Sequence, residues 1–125
     1  MRRILLFMNK KGIAQVLLLR LSETDGVCTG FSQDYANADS IARRFCATSA
    51  LIEVGEDGNF DTFYCLALCD RIHREMPGCK LLLLCSEDDK RGIANAIAAR
   101  LDGTIDDFIF YDASVEYLMS KLLST

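Results

Sequence analysis

Three side chains are spaced so that they could do chemistry together: Cys65, Cys69 and His73 recur every fourth residue. On a helix this sets two thiols and an imidazole one turn apart along one face, which admits a metal site or a redox pair. Three collinear ligands cannot close a tetrahedron without a distant fourth, and the CxxC spacing of redox sites is missing. The favoured reading is buried thiols beside a surface histidine. Asn9-Lys10-Lys11-Gly12, just ahead of an apolar-periodic stretch, could draw an anion to a helix N-terminus or be a solvated loop. Gly55 to Asp61 is acidic and turn-rich, but it lacks the flanking helix and terminal Glu of an EF-hand and reads as a solvated loop. Neither GxGxxG nor GxxxxGK[ST] occurs, so nucleotide binding has no motif behind it.

The elements that must position these residues alternate between two periods. Short apolar runs read as strands: Ile4–Phe7 (β1), Val27–Phe31 (β2, the weakest), Ala50–Val54 (β3), Leu81–Cys85 (β4) and Phe108–Tyr111 (β5). Such runs are buried on both faces, as in parallel sheets covered by helices. Between them lie helical stripes: Ile13, Val16, Leu17 and Leu21 (α1); Ala38, Ile41, Ala42 and Phe45 (α2); Thr62 to Met76 (α3), closed by Pro77-Gly78; Ile93, Ile97 and Leu101 (α4), stopped by Gly103; and Val115, Leu118, Met119 and Leu122 (α5). Each stripe is expected to face the sheet, with Asp88 and Ser114 as N-caps of the last two helices. Right-handed crossovers then predict a flavodoxin-like, doubly wound α/β sandwich with five parallel strands in the order 2-1-3-4-5.

At 125 residues, half of them hydrophobic, the chain is expected to form one domain with a sizeable core. Its net charge of −4, with no cluster of Lys and Arg, argues against direct nucleic-acid contact. Met1-Arg2-Arg3 before Ile4–Met8 mimics a signal peptide, but the apolar run is short and broken by Asn9-Lys10-Lys11, and no run reaches the length of a membrane span. Six cysteines in a chain of periodic helices read as reduced thiols, hence a cytoplasmic protein. The chain ends with its last helix, compatible with a stand-alone protein or with removal of an output domain.

In such sheets ligands bind beyond the carboxyl ends of the strands. Five segments fall there: Met8-Asn9-Lys10, Ser32-Gln33-Asp34, Glu53-Val54-Gly55, Cys85-Ser86-Glu87 and Tyr111-Asp112. Here the chain resembles the receiver domain of two-component response regulators, over essentially its whole length. Arg3-Ile4-Leu5-Leu6-Phe7-Met8-Asn9 is similar to the family's first strand, Asp106-Asp107-Phe108-Ile109-Phe110-Tyr111 to its fifth, and the fourth strand ending in Cys85-Ser86 also fits. The resemblance implies an acidic pair after β1 for Mg²⁺, a phospho-acceptor Asp after β3, a Ser or Thr after β4 and a Lys-Pro after β5. This chain has Met8 and Asn9, then Glu53, then Cys85 with Ser86 one place on, then Tyr111 with Asp112.

A thioether and an amide are poor ligands for Mg²⁺, and loss of both metal and cation removes most of the stabilisation that phosphoryl transfer needs. No catalytic residue, metal or cofactor is therefore expected. Glu53 is read either as a fixed negative charge that mimics the phosphorylated state or as a strand-end acid, solvated or paired with Lys10. Phe108 is either the family's switching aromatic or simply closes the sheet edge. The sugar-phosphotransferase B domains, of similar architecture, carry a nucleophilic Cys after β1, where this chain has Met8.

The expected function is that of a degenerate receiver-like signalling module acting through protein contacts, with a partner or output domain and a homodimer through α4-β5-α5. On or near that face the resemblance places Arg91, Arg100, Asp106, Asp107, Tyr111 and Lys121. The alternative is a flavodoxin-like protein or enzyme that binds a small molecule, flavin or phosphate.

Overall fold

A computed structural model of the protein describes residues 1–55 and 60–124. Its strands are β1 (Arg2–Phe7), β2 (Val27–Ser32), β3 (Ser49–Glu53), β4 (Lys80–Cys85) and β5 (Asp107–Phe110). The helices are α1 (Lys11–Ser22), α2 (Ala38–Phe45), α3 (Thr62–Glu75), α4 (Lys90–Asp102) and α5 (Val115–Leu123), with a 3-10 turn at Tyr35–Asn37. The strands form one parallel sheet in the order β2-β1-β3-β4-β5, as the alternation of periods predicts.

Side chains on successive strand residues point to opposite faces, so each apolar run feeds two cores. Leu5, Phe7, Ala50, Ile52, Leu81 and Leu83 pack under α2, α3 and α4. Ile4, Leu6, Leu51, Leu82, Leu84 and Ile109 pack under α1 and α5. Burial of each of the Leu, Ile and Phe side chains contributes roughly 1.5–3 kcal/mol, which explains why the three central strands need no polar face.

Two helices do not present the stripe expected of them. In α1 the buried positions are Ala14, Leu17 and Leu21, while Val16 is 44% exposed. In α4 the sheet receives Gly92, Ala96 and Ala99, leaving Ile97 half-exposed and Leu101 83% exposed. The cap sets this phase. Asp89, one residue beyond the expected Asp88, accepts the Gly92 N–H at 3.0 Å and the Thr62 hydroxyl at 3.2 Å. A Cβ on Gly92 would collide with both side chains, so the start of α4 lies tight against that of α3. Small residues let the helix approach, and the larger ones turn outward. Ser114 caps α5 as expected, its hydroxyl accepting the Tyr117 N–H. Gly103, at φ 88°, closes α4 in the left-handed region that favours glycine.

Candidate functional site

The carboxyl ends of β1, β3 and β5 converge on Glu53. Its residue is only 1% exposed, and Oε1 accepts the backbone N–H of Asn9 at 2.6 Å and of Lys10 at 2.9 Å. Glu53 is thus not solvated, and it accepts from the backbone amide of Lys10. Lys10 starts α1 without a side-chain cap, and the first turn of α1 holds no acid. The Glu53 carboxylate stands in as the anion at that helix N-terminus. Its second oxygen, Oε2, is buried and has no hydrogen-bond partner among the described residues.

Tyr111, just after β5, lines the same cleft as Glu53. Its hydroxyl donates to the Val54 carbonyl at 2.6 Å, and the Lys10 ammonium lies 4.1 Å from the centre of its ring. The aromatic face attracts the cation. The cleft, of about 330 Å³, is lined by Asn9, Lys10, Glu53, Phe60 and Tyr111. Ser86 faces its own loop, its hydroxyl accepting the Asp88 N–H at 3.3 Å, and Cys85 is buried beside β5. Nearby, Asp112 holds the Glu87 carboxyl above its ordinary range by charge repulsion.

Tyr35 was not foreseen from sequence. Fully buried, it sets its hydroxyl 2.6 Å from the Glu53 carbonyl and 3.0 Å from that of Phe7, bracing the ends of β1 and β3. Its ring stacks on Phe60 at 4.6 Å. The only signal was an aromatic inside the polar Asp34–Asn37 turn.

Met8 is completely buried in the core under α1 and α5 and presents nothing to the cleft. One carboxylate oxygen committed to two amides, a buried thioether and an amide side chain do not fit Mg²⁺, which wants several charged or water oxygens around it. Among the described residues no group of three or more His, Cys, Asp or Glu is arranged to hold a metal. Cys65 and Cys69 are buried and His73 is exposed, so the spaced trio does not converge. Burial pushes the Cys65 and Cys85 thiols up to about 12 and the Cys79 thiol up to about 11. At neutral pH these groups are thiols, not nucleophilic thiolates. The acidic loop read between Gly55 and Asp61 lies largely at 56–59, outside the described residues.

The second set of candidates separates. Asp107 is bound by Lys121 at 2.7 Å and faces Arg100 at 3.6 Å, linking β5 to α5 and α4. Burial works to raise the Asp107 carboxyl, but the Lys121 ammonium, the Phe108 N–H and Arg100 hold it below its ordinary range. Asp106 turns to the other end of the sheet, where Oδ2 accepts the Leu81 N–H at 2.7 Å. Arg91 is exposed near the start of α4, and Phe108 is half-buried with its ring edge-on to Phe110 at 5.8 Å.

No protein-family model matches the sequence, and no curated protein does. The fold is that of the CheY-like receiver domains of response regulators. A CheY-like receiver domain from Methanospirillum hungatei superposes with a TM-score of 0.77 at 15% identity, over 98% of this chain and 90% of that one. The signal receiver domain of an HD domain-containing protein from Pseudomonas fluorescens gives 0.76 at 21%, over 97% and 83%. A streptococcal protein described as one of a family of redox sensors evolved from two-component response regulators gives 0.77 at 17%; the match covers 98% of this chain and 49% of that one.

Proposed function

We propose that the chain, as one domain over residues 1–125, is a degenerate receiver: a cytoplasmic, non-enzymatic signalling module of two-component or phosphorelay type that acts by protein contact without being phosphorylated. The observation that carries this reading is the Glu53 carboxylate, fastened on the Asn9 and Lys10 amides at the acceptor position. An internal anion takes the place that a phosphoryl group would need, and the cation and acidic pair that would bind that group are replaced by Tyr111, Met8 and Asn9. The domain is held in one state.

Its partner is a protein or an output domain, met through the α4-β5-α5 face, which also serves a second copy; nucleic acid and membrane are not partners. Ile97 and Leu101 add exposed apolar surface to α4 there, beside the Arg100–Asp107–Lys121 cluster. The test is incubation with a small acyl-phosphate donor and Mg²⁺. Intact mass should stay unchanged, and a stoichiometric phosphoryl adduct would refute the proposal. Asp107→Arg should weaken partner binding or self-association.

One observation favours a second reading, a small-molecule site. The unpartnered Glu53 Oε2 borders the cleft, and a donor group entering there would satisfy it. A rise in melting temperature with an amine, or with a flavin whose ring N–H can donate, lost in Glu53→Gln, would support it.

A further inference from the structure

The two edges of the sheet are treated differently. At one edge β5 carries Asp107, tied to Lys121 and Arg100, and charge of this kind keeps strands from pairing with other chains. At the other, β2 reads Val27-Cys28-Thr29-Gly30-Phe31-Ser32, with no charge and no proline, and it is bonded only to β1.

The register shows which of its backbone groups are left over. Arg2 donates its N–H to the Gly26 carbonyl and Met8 to that of Ser32, so the even-numbered residues of this segment face β1. Neighbouring strand residues turn their N–H and C=O to opposite sides. Val27, Thr29 and Phe31 therefore direct theirs out of the sheet, where no hydrogen bond from the described residues meets them. A second strand could pair there without breaking a bond of the monomer.

We infer that this edge pairs antiparallel with the β2 edge of a second copy of the chain, joining two five-stranded sheets across a two-fold axis. One register pairs every outward group: Thr29 opposite Thr29, and Val27 opposite Phe31. A shift of one residue sets outward groups against inward ones, and a shift of two leaves groups unpaired. Charge fits this register too. Beyond the strand, Asp25 falls opposite Gln33 and Asp34 opposite Thr24, so no like charges meet.

Three side-chain observations agree with it. Thr29 Oγ1 is buried with no hydrogen-bond partner among the described residues, and the register brings its own image to the same face, where threonines bond across strands. Phe31, 37% exposed, is set against Val27 of the other copy. On that face the exposed Leu19 of α1 borders a groove of about 570 Å³, lined also by Gln15, Leu18, Ser22, Val27 and Thr29. The two copies of α1 would close over it together.

The test is light-scattering mass of the full chain over a concentration series, with far-UV circular dichroism of each variant. Thr29→Pro removes an outward N–H and the Thr29 hydroxyl, takes no bond from β1 and is compatible with an edge strand. Phe31→Lys places charge in the pairing and serves should the proline variant not fold. The wild type should associate to a dimer or beyond, both variants should need roughly tenfold higher concentration or more to form the edge contact, and Asp107→Arg should leave a dimer held by the edge alone. A wild type that stays monomeric at all concentrations overturns the inference. So does a dimer untouched by Thr29→Pro and Phe31→Lys. If Asp107→Arg alone dissolves it, the edge pairing falls while the proposed α4-β5-α5 contact stands.

Discussion

Asn9 gives its backbone N–H to the Glu53 carboxylate across 2.6 Å, and through that bond the end of β3 caps the start of α1. The extra methylene of glutamate over aspartate lengthens its reach toward amides that belong to the neighbouring strand's loop. One side chain thus satisfies the N-cap amide and the amide before it, and supplies the negative charge a helix N-terminus favours.

Glu53→Ala should therefore lower unfolding stability by about 1–3 kcal/mol, because both amides lose a charge-assisted partner. Glu53→Gln keeps an acceptor oxygen and should cost less. Urea titration reads both, and an unchanged midpoint in Glu53→Ala would mean the pairing is incidental.

Tyr111→Phe keeps the ring beside Lys10 but leaves the Val54 carbonyl without its 2.6 Å bond. A loss of about 1 kcal/mol is expected. Tyr111→Lys should be worse, since it removes the ring and adds a second cation next to Lys10; thermal unfolding at one pH orders the three proteins.

Thiol accessibility divides the cysteines. Cys46 is exposed and Cys28 partly so, whereas Cys65, Cys69, Cys79 and Cys85 are buried, with thiols that burial raises. Alkylation of the native protein at pH 8 followed by peptide mass analysis should label Cys46 first, then Cys28, and the buried four only after unfolding. Rapid native labelling of Cys65 or Cys85 would contradict the packing of α3 on the sheet.

The acid limb of stability should depend on Asp107. Its carboxyl is held below the ordinary range in the folded state, so its contribution is present above the unfolded carboxylate pKa and fades as pH falls through the folded value. Asp107→Asn should lose up to about 1 kcal/mol at neutral pH and converge with the wild type in acid. A constant difference at all pH values would show that the ion pair with Lys121 is not its source.

Helix phase in α4 can be checked by opposite substitutions. Leu101→Lys, at an exposed site, should change stability by less than about 0.5 kcal/mol, whereas Ala96→Leu, against the sheet, should cost about 1–3 kcal/mol. The reverse order would restore the stripe of large residues to the core.

How much of this was legible in the residues varies with the range of the interaction. Element order and the buried central strands follow from local periodicity and from Pro77-Gly78, Gly103 and Ser114 at helix ends, because those signals act within a few residues, and the sheet order from the handedness of the crossovers. The outward turn of Ile97 and Leu101 was not legible: it depends on Thr62, Asp89 and Gly92 meeting between two helices. Glu53 could be placed at the rim by its position after β3, but its partners are separated from it by more than forty residues.

What the sequence determined by itself is therefore the α/β alternation and the presence of Met8, Asn9, Glu53 and Tyr111 at the carboxyl ends of the strands. Tertiary structure alone decided where those side chains turn: Met8 into the core, Glu53 onto two amides, Tyr111 across to Val54. The reason is physical. Periodicity reports which face a residue prefers, whereas a hydrogen bond needs two groups within about 3 Å, and for groups far apart in the chain only the assembled fold sets that distance.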